Sequence, residues 1–116
     1  MAALCLESAE RRLPTLVFCP TRRSAEHCAR LVARLISTAA PPVSPRAHSA
    51  RKDLLARLRT GAAGLNEALA VCVPNGVGIH HAGLTAEERA SVEAAMRTGL
   101  MLVLVATSTL AAGVNL

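Results

Sequence analysis

Three short polar segments hold the side chains of this chain that could do chemistry, and each follows an apolar run. Their threonine, serine, arginine and histidine groups can donate hydrogen bonds to phosphate oxygens, and arginine can donate two to one phosphate. In a parallel sheet, the loops after the strands gather at one edge and form the ligand site. We therefore expect a shared site built from residues 20–24, 81–85 and 107–116.

The first segment lies where a helix is predicted to begin. Thr21 offers a hydroxyl, and Arg22 and Arg23 offer positive charge beside free backbone amides, which together with the helix dipole favour a phosphate. The residues alone leave an alternative open. Thr21 or Ser24 would then only cap the helix, and the two arginines would be solvated.

The other two segments contain histidines and a run of hydroxyls. His80 and His81 are neighbours on an extended stretch, so their side chains should point to opposite faces, and we predict no metal site. His81 could equally be a buried histidine whose hydrogen bonds are satisfied. In the run 107–109, Thr-Ser-Thr, a hydroxyl could bind a phosphate oxygen or only cap a turn.

Strands must position these segments. The runs 15–19 (TLVFC) and 100–106 (LMLVLVA) are typical of strands that are buried on both faces, and 77–81 is a shorter strand candidate. Helical spacing of apolar residues from Ser24 to Ile36 predicts an amphipathic helix directly after the strand 15–19. The alternation of strands and helices predicts a doubly wound parallel α/β sheet that is covered on both faces.

The remaining stretches are predicted to contain a surface connection and three helices. Residues 37–49 contain three prolines and are predicted to form a mobile surface connection, followed by short helices at about 50–59 and 65–73. The segment Thr85–Glu88 has the pattern of a capping box and predicts a helix with an inward stripe of Val92, Ala95 and Met96. Gly99 is placed for a left-handed cap at its end.

Composition narrows the classes of function. The formal net charge is +5, and Lys52 is the only lysine, so arginine supplies the excess charge that suits a polyanion. Phe18 is the only aromatic residue, so a bound strand would be held by its backbone and not by base stacking. The four cysteines form no Cys-x-x-Cys pair, which argues for reduced core thiols over a zinc site or a disulfide framework. No apolar run is long enough to span a bilayer, and the start of the chain has no convincing secretory or transit signal.

The three segments together resemble a known family. LVFCPTRRSAE (16–26), GIHHAGLTAEER (78–89) and VATSTLAAGVNL (105–116) resemble motifs IV, IVa and V of superfamily 2 helicases, in the same order. The combination of HHAGLT with TSTLAAGVNL is similar to helicases of the DNA polymerase theta and HELQ type. The similarity extends from about residue 16 to residue 116 and weakens through the proline-rich stretch, where the polymerase theta pattern has a longer insertion.

The resemblance implies a RecA-like fold of the P-loop NTPase kind, with residues 1–116 forming a partial second RecA-like domain, the helicase C-terminal domain. It implies that the last segment touches both ligands, nucleic acid and the nucleotide between two domains. The implied nucleic-acid contacts are Thr21, Arg22, Arg23, His81, Gly83, Thr107 and Ser108. The implied contacts with ATP are Gly113 and Asn115.

Several parts of an ATPase are not visible in the sequence. Phosphoryl transfer needs a phosphate cradle, a carboxylate that holds the metal and a charge stabiliser, and the chain has no G-x-x-x-x-G-K-[ST] pattern. By resemblance, the first RecA-like domain supplies the cradle and the Mg²⁺ site, and a motif beyond the last segment supplies the arginine finger. We therefore expect a truncated helicase fragment with no catalytic residue of its own, which does not hydrolyse ATP alone.

Three functions follow as expectations. The leading one is a segment of an ATP-dependent DNA helicase, nuclear by resemblance, whose parent moves 3′-to-5′ on single-stranded DNA in DNA repair and contains the first RecA-like domain as its partner. The second is a non-catalytic fragment that binds nucleic acid. The third is a segment of an RNA helicase, since backbone contacts distinguish the two nucleic acids only where the sugar is read.

Overall fold

The three strands form one parallel sheet in the order β1-β3-β2. The computed structural model describes residues 14–39, 44–60 and 66–107. Strand β1 is Thr15–Cys19, β2 is Val77–His80 and β3 is Val103–Thr107, and β3 pairs with both neighbours. This confirms the predicted parallel α/β sheet. The last apolar strand begins at Val103, later than predicted.

Within the described ranges, four helices accompany the strands. Helix α1 is Arg22–Ala39, α2 is Pro45–Arg59, α3 is Glu67–Cys72 and α4 is Ala86–Arg97. A short 3₁₀ turn, Val73–Asn75, joins α3 to β2. Among the described residues, no helix has the length and apolar character needed to cross a membrane.

Helices lie on both faces of the sheet, as predicted. Gly78 of β2 and its partner Leu104 of β3 face α4, because a Cβ built on Gly78 would lie 3.0 Å from Val92. Side chains alternate along a strand, so Val17 and Ile79 point to the other face, where α1 packs against all three strands. The core therefore fills two layers, one on each side of β3.

Strand β1 departs from the prediction that it is buried on both faces. Val17 is 7% exposed, but Leu16 and Phe18 on the opposite face are 45% and 52% exposed. The reason is position, since β1 lies at the edge of the sheet in the described part of the chain and α4 packs against β2. Strand β3, in the centre, is buried at every residue, as predicted.

The stretch 37–49, predicted as a proline-rich surface connection, is largely helical where it is described. Helix α1 continues to Ala39, and the Ser37 hydroxyl donates to the Arg34 carbonyl at 2.8 Å. Pro45 occupies the first position of α2 after the cap residue Ser44, where its missing N–H has no helical partner to lose. Residues 40–43, with the other two prolines, lie outside the described residues.

The start and end of α4 match the prediction. Thr85 accepts the backbone N–H of Glu88 at 3.0 Å, and the Glu88 carboxylate accepts the N–H of Thr85 at 2.8 Å. Gly99 follows the helix with φ of 81°, the left-handed conformation that glycine adopts without strain. The predicted inward stripe is buried at all three positions.

A buried arginine connects α2 to the rest of the fold, and nothing in the sequence predicted it. Arg51 is 4% exposed; its Nε donates to the Leu100 carbonyl at 3.1 Å and its Nη1 to the Pro74 carbonyl at 3.3 Å. These carbonyls belong to the connections that lead into β3 and β2. Arg51 therefore holds α2 against both connections through charge-assisted hydrogen bonds.

Candidate nucleic-acid interface

The strand register brings the predicted loops to one edge of the sheet. Cys19, the last residue of β1, pairs with Thr107 at the end of β3, and His80 at the end of β2 pairs with Ala106. All three strands are parallel, so the segments that follow them leave from the same edge. The described parts of the segments are residues 20–24, 81–85 and Thr107.

A basic cleft lies at this edge, between the start of α1 and the loop after β2. Its volume is about 470 Å³. It brings together four residues that the sequence singled out and three that it did not. The lining residues are Arg22, Arg23, Glu26, His27, Arg30, His81 and Gly83.

Thr21 and Ser24 cap helix α1, as the alternative interpretation predicted. The Thr21 hydroxyl accepts the backbone N–H of Ser24 at 3.0 Å and donates to Ser24 Oγ at 2.9 Å. Ser24 Oγ in turn donates to the Thr21 carbonyl at 2.9 Å and accepts the Thr21 N–H at 3.1 Å. Both hydroxyl protons are engaged, so a phosphate would reach the Thr21 hydroxyl only by displacing one of these bonds.

Arg22 and Arg23 stand in an electrostatically unfavourable place. They occupy the first turn of α1, which contains no acidic residue, and both are exposed. The helix dipole is positive at this end, so a cation there is destabilising by about as much as an anion is stabilising, roughly 0.3–1 kcal/mol. Their backbone amides also have no acceptor four residues back. An anion in the cleft would relieve the repulsion and accept these donors.

His81 presents a buried donor to the cleft. Its Nδ1 accepts the backbone N–H of Gly83 at 3.0 Å, so a neutral ring must hold its proton on Nε2. Nε2 lies 3.5 Å from Glu26 Oε2 and has no hydrogen-bond partner among the described residues, although the ring is only 5% exposed. The alternative interpretation, a buried histidine whose hydrogen bonds are satisfied, is correct for Nδ1 but not for Nε2. The N–H on Nε2 therefore lies beside the Glu26 carboxylate without forming a hydrogen bond to it.

Gly83, which the resemblance implies as a nucleic-acid contact, packs against two other residues of the cleft. A Cβ at this position would lie 2.9 Å from His81 Cε1 and 3.1 Å from Arg22 Nη1. Residues 82 and 83 do form a turn, and the glycine N–H holds the His81 ring. The absent side chain therefore allows the ring and the guanidinium to approach one another.

His80 points to the opposite face from His81, as predicted. Its Nε2 donates to Glu93 Oε1 of α4 at 2.7 Å, whereas His81 faces Glu26 of α1. The two rings thus contact helices on opposite sides of the sheet. Across residues 14–39, 44–60 and 66–107, no three histidine, cysteine or acidic side chains are grouped to hold a metal ion.

The last segment is described only at its first residue. Thr107 ends β3 beside Cys19 and is 7% exposed. Ser108, Gly113 and Asn115 lie outside the described residues, as does the rest of the segment. The predicted contacts of these three residues therefore stay predictions.

Sequence reasoning missed Glu26, His27 and Arg30 as parts of the cleft. The signal was present in the spacing: residues 26 and 27 both lie three or four positions from residues 23 and 30, on one side of a helix. This helical spacing was interpreted only as the solvated side of an amphipathic helix.

The parallel α/β sheet with helices on both faces is compatible with part of a RecA-like helicase domain. No protein-family model matches the chain. Curated relatives match it. In an alignment of 128 positions the chain is 38% identical to mouse DNA polymerase theta, and in one of 101 positions it is 41% identical to Drosophila melanogaster Helicase POLQ-like. It is also 39% identical over 115 residues to the ATP-dependent DNA helicase Hel308 of Methanocella arvoryzae. The chain is a superfamily 2 helicase region of the polymerase theta and Hel308 type.

The alignments cover most of this chain and little of the relatives. They include 100%, 87% and 98% of the chain for the three proteins in turn. The chain spans only 5%, 9% and 15% of the lengths of those relatives. The similarity therefore identifies the region, and the activity of a whole protein is a separate matter.

Proposed function

We propose that this region binds the sugar-phosphate backbone of single-stranded DNA in the cleft between α1 and the loop after β2, as part of an ATP-dependent DNA helicase. The observation that carries the proposal is the buried Nε2–H of His81, which lies at a cleft lined by arginines and forms no hydrogen bond with a described residue, although Glu26 Oε2 lies 3.5 Å away. Such a group is costly unless something bonds to it, and a phosphate oxygen is the acceptor that the surrounding charge favours.

Each residue of the cleft has a distinct part in this proposal. Arg22 and Arg23 neutralise phosphates through their guanidinium groups and free amides, and His81 donates one hydrogen bond. Thr21 acts by capping α1 and so orienting those amides. Gly83 holds the His81 ring and leaves room for it. Among the described residues that line the cleft, Glu26 is the only acidic one, and its carboxylate lies beside His81.

The wider assignment rests on the relatives and the motifs. One relative is named an ATP-dependent DNA helicase, which favours DNA over RNA and ATP as the cofactor. We propose that Thr107 and Ser108 contact the same strand and that Gly113 and Asn115 contact ATP. The first RecA-like domain would be the partner that holds Mg²⁺. Movement in the 3′-to-5′ direction, a role in DNA repair and a nuclear location belong to the same proposal.

Binding of a fluorescein-labelled oligothymidylate to the full chain tests the cleft. We expect binding at low salt that weakens steadily as salt rises, because backbone contacts release counterions. Arg22→Gln with Arg23→Gln should weaken it roughly tenfold, at ~0.7 kcal/mol for each arginine, as expected for two exposed phosphate contacts. Arg97→Gln is the matched control, because this exposed arginine lies on α4, across the sheet from α1. If Arg97→Gln loses as much affinity for the oligothymidylate as the double variant does, binding is not specific to the cleft.

The coupling to ATP requires a second experiment. In the intact helicase, or in this region joined to a matching first domain and the motif with the arginine finger, single-stranded DNA should stimulate ATP hydrolysis. Thr107→Ala should reduce that stimulation. Full stimulation in this variant would remove Thr107 from the proposed contacts.

A non-catalytic nucleic-acid-binding module is the second candidate. It is favoured by the combination of a formed cleft with a sequence that contains no phosphate-binding loop. It predicts the same salt-dependent binding without any stimulated ATP hydrolysis. Preference for RNA over DNA of the same sequence in the binding assay would favour the third candidate, an RNA helicase segment.

A further inference from the structure

The exposed side of helix α1 carries a basic stripe that extends beyond the cleft. Arg23, His27, Arg30 and Arg34 are all exposed, and their spacing of four, three and four residues aligns them on one side of the helix. Arg34 lies eleven positions after Arg23, so the stripe is ~16 Å long at the helical rise per residue. This is long enough to follow several consecutive phosphates of a strand.

The stripe leads from the cleft into a second groove. This groove has a volume of about 350 Å³ and lies where α1 passes the end of α3 and the turn after it. Arg30 lines both the cleft and the groove, so the two are neighbours. The other residues that line the groove are Arg34, Ser37, Val71 and Asn75.

The charge of the stripe is not balanced locally. Helix α1 contains four arginines and one glutamate, and that glutamate lies beside His81. Among the described residues, no carboxylate forms an ion pair with Arg23, Arg30 or Arg34. Concentrated positive charge along a groove attracts a polyanion over a distance, whereas scattered surface charge does not.

We propose that this stripe is a second segment of the nucleic-acid path, which binds the backbone of the same strand where it leaves the cleft and enters the groove beside α3. The inference rests on the proposed function of the cleft, and it lengthens the strand that one domain holds. Arg34 at the far end neutralises a phosphate that the cleft residues do not reach. Ser37 and Asn75 offer uncharged polar groups along the groove.

The test compares two oligothymidylates, one long enough to fill only the cleft and one that also reaches Arg34, with the full chain. Arg34→Gln should weaken binding of the long oligonucleotide about three- to fivefold and leave the short one unchanged. The slope of log affinity against log salt should fall by about 0.7 for the long oligonucleotide, the value for one phosphate contact on a single strand. Arg34→Lys should restore most of the lost affinity and of the lost salt slope. Arg97→Gln should leave the binding of both oligonucleotides unchanged.

Each contrary result separates the stripe from the cleft. If Arg34→Gln binds the long oligonucleotide as tightly as the unmodified chain, while Arg22→Gln with Arg23→Gln weakens it, the stripe is refuted and the cleft stands. Equal weakening of both lengths refutes a separate second segment. If the unmodified chain binds neither length at low salt, both proposals fail. If polyglutamate displaces the long oligonucleotide as strongly as unlabelled DNA does, the stripe binds an acidic protein partner and the proposed nucleic-acid segment is overturned.

Discussion

Replacing Gly83 with alanine would add one carbon atom, Cβ, to the candidate site. The new Cβ would lie 2.9 Å from His81 Cε1 and 3.0 Å from Nδ1, whereas ordinary contact begins at 3.4 Å. Arg22 Nη1, at 3.1 Å, is the end of a flexible exposed side chain and can withdraw. The imidazole ring is buried and has less freedom, so the ring or the loop must shift.

The shift has a cost that can be estimated. It lengthens or breaks the hydrogen bond from Gly83 N–H to His81 Nδ1, which contributes about 1 kcal/mol. Rotation of His81 away from its preferred conformer adds roughly 0.5–1.5 kcal/mol. The free energy of unfolding should therefore fall by ~1.5–2.5 kcal/mol. A hydrogen bond from Nε2–H to a charged phosphate contributes roughly 1.5 kcal/mol, so its loss should weaken binding of single-stranded DNA about tenfold.

Two measurements and one control separate these effects. Urea denaturation gives the free energy of unfolding, and fluorescence anisotropy gives the affinity for DNA. Gly99→Ala is the control, because φ of 81° makes alanine unfavourable there by about 1 kcal/mol, while nothing lies within 4 Å of the added Cβ. Gly99 precedes β3, at the edge of the sheet opposite the cleft. The control should lose stability and keep its affinity.

Two results would refute this account. If Gly83→Ala binds DNA as tightly as the unmodified chain, the position of His81 does not matter for the strand. If Gly99→Ala loses as much affinity as Gly83→Ala, the loss reports stability and not the site. Nitrogen chemical shifts of His81 give an independent check, since the structure requires the proton on Nε2 when the ring is neutral.

Three further predictions concern stability and thiol chemistry. Thr85→Ala removes the side-chain half of the capping box with Glu88 and should lower the free energy of unfolding by about 1 kcal/mol in urea denaturation; a change below ~0.3 kcal/mol would contradict it. Arg51→Met leaves two carbonyls without their charged donor and should lower the same quantity by ~2–4 kcal/mol, and a neutral result would show that the stem alone matters. Burial raises the pKa of the Cys72 thiol from 9.0 to about 12, so iodoacetamide at pH 8 should modify half-buried Cys19 before Cys72 in the folded chain, and the reverse order would be inconsistent with this burial. Because the folded-state pKa is the higher one, the stability that Cys72 contributes is complete below pH 9 and declines as the pH rises toward 12.

Local patterns in the sequence were sufficient for most elements of secondary structure. The capping pattern at Thr85 predicted the start of α4, and Gly99 predicted its end, because caps depend on residues within one turn. The residues 15–19 were predicted as a strand with the observed bounds. The helical parts of the stretch 37–49 were not predicted, because the prolines were counted without their positions and Pro45 lies where a helix tolerates it.

The candidate site was predicted in part for the same reason. Its loops could be located, since each follows a recognisable strand and carries a motif with a known order. The donor on His81 could not be foreseen, because it depends on which nitrogen the Gly83 N–H bonds to across two residues of loop. The role of Arg51 was equally hidden, since its partners lie 49 and 23 residues away.

By itself, the sequence determined the kinds of elements in this chain, the fold class and the family, because periodicity, caps and motifs are local properties of the residues. Only the tertiary structure decided the strand order β1-β3-β2, which leaves Leu16 and Phe18 exposed at an edge and encloses β3. It also decided that the loop after β2 meets the start of α1 and forms the cleft. The physical reason is that pairing between distant strands selects the neighbours of each side chain, and no local pattern records that choice.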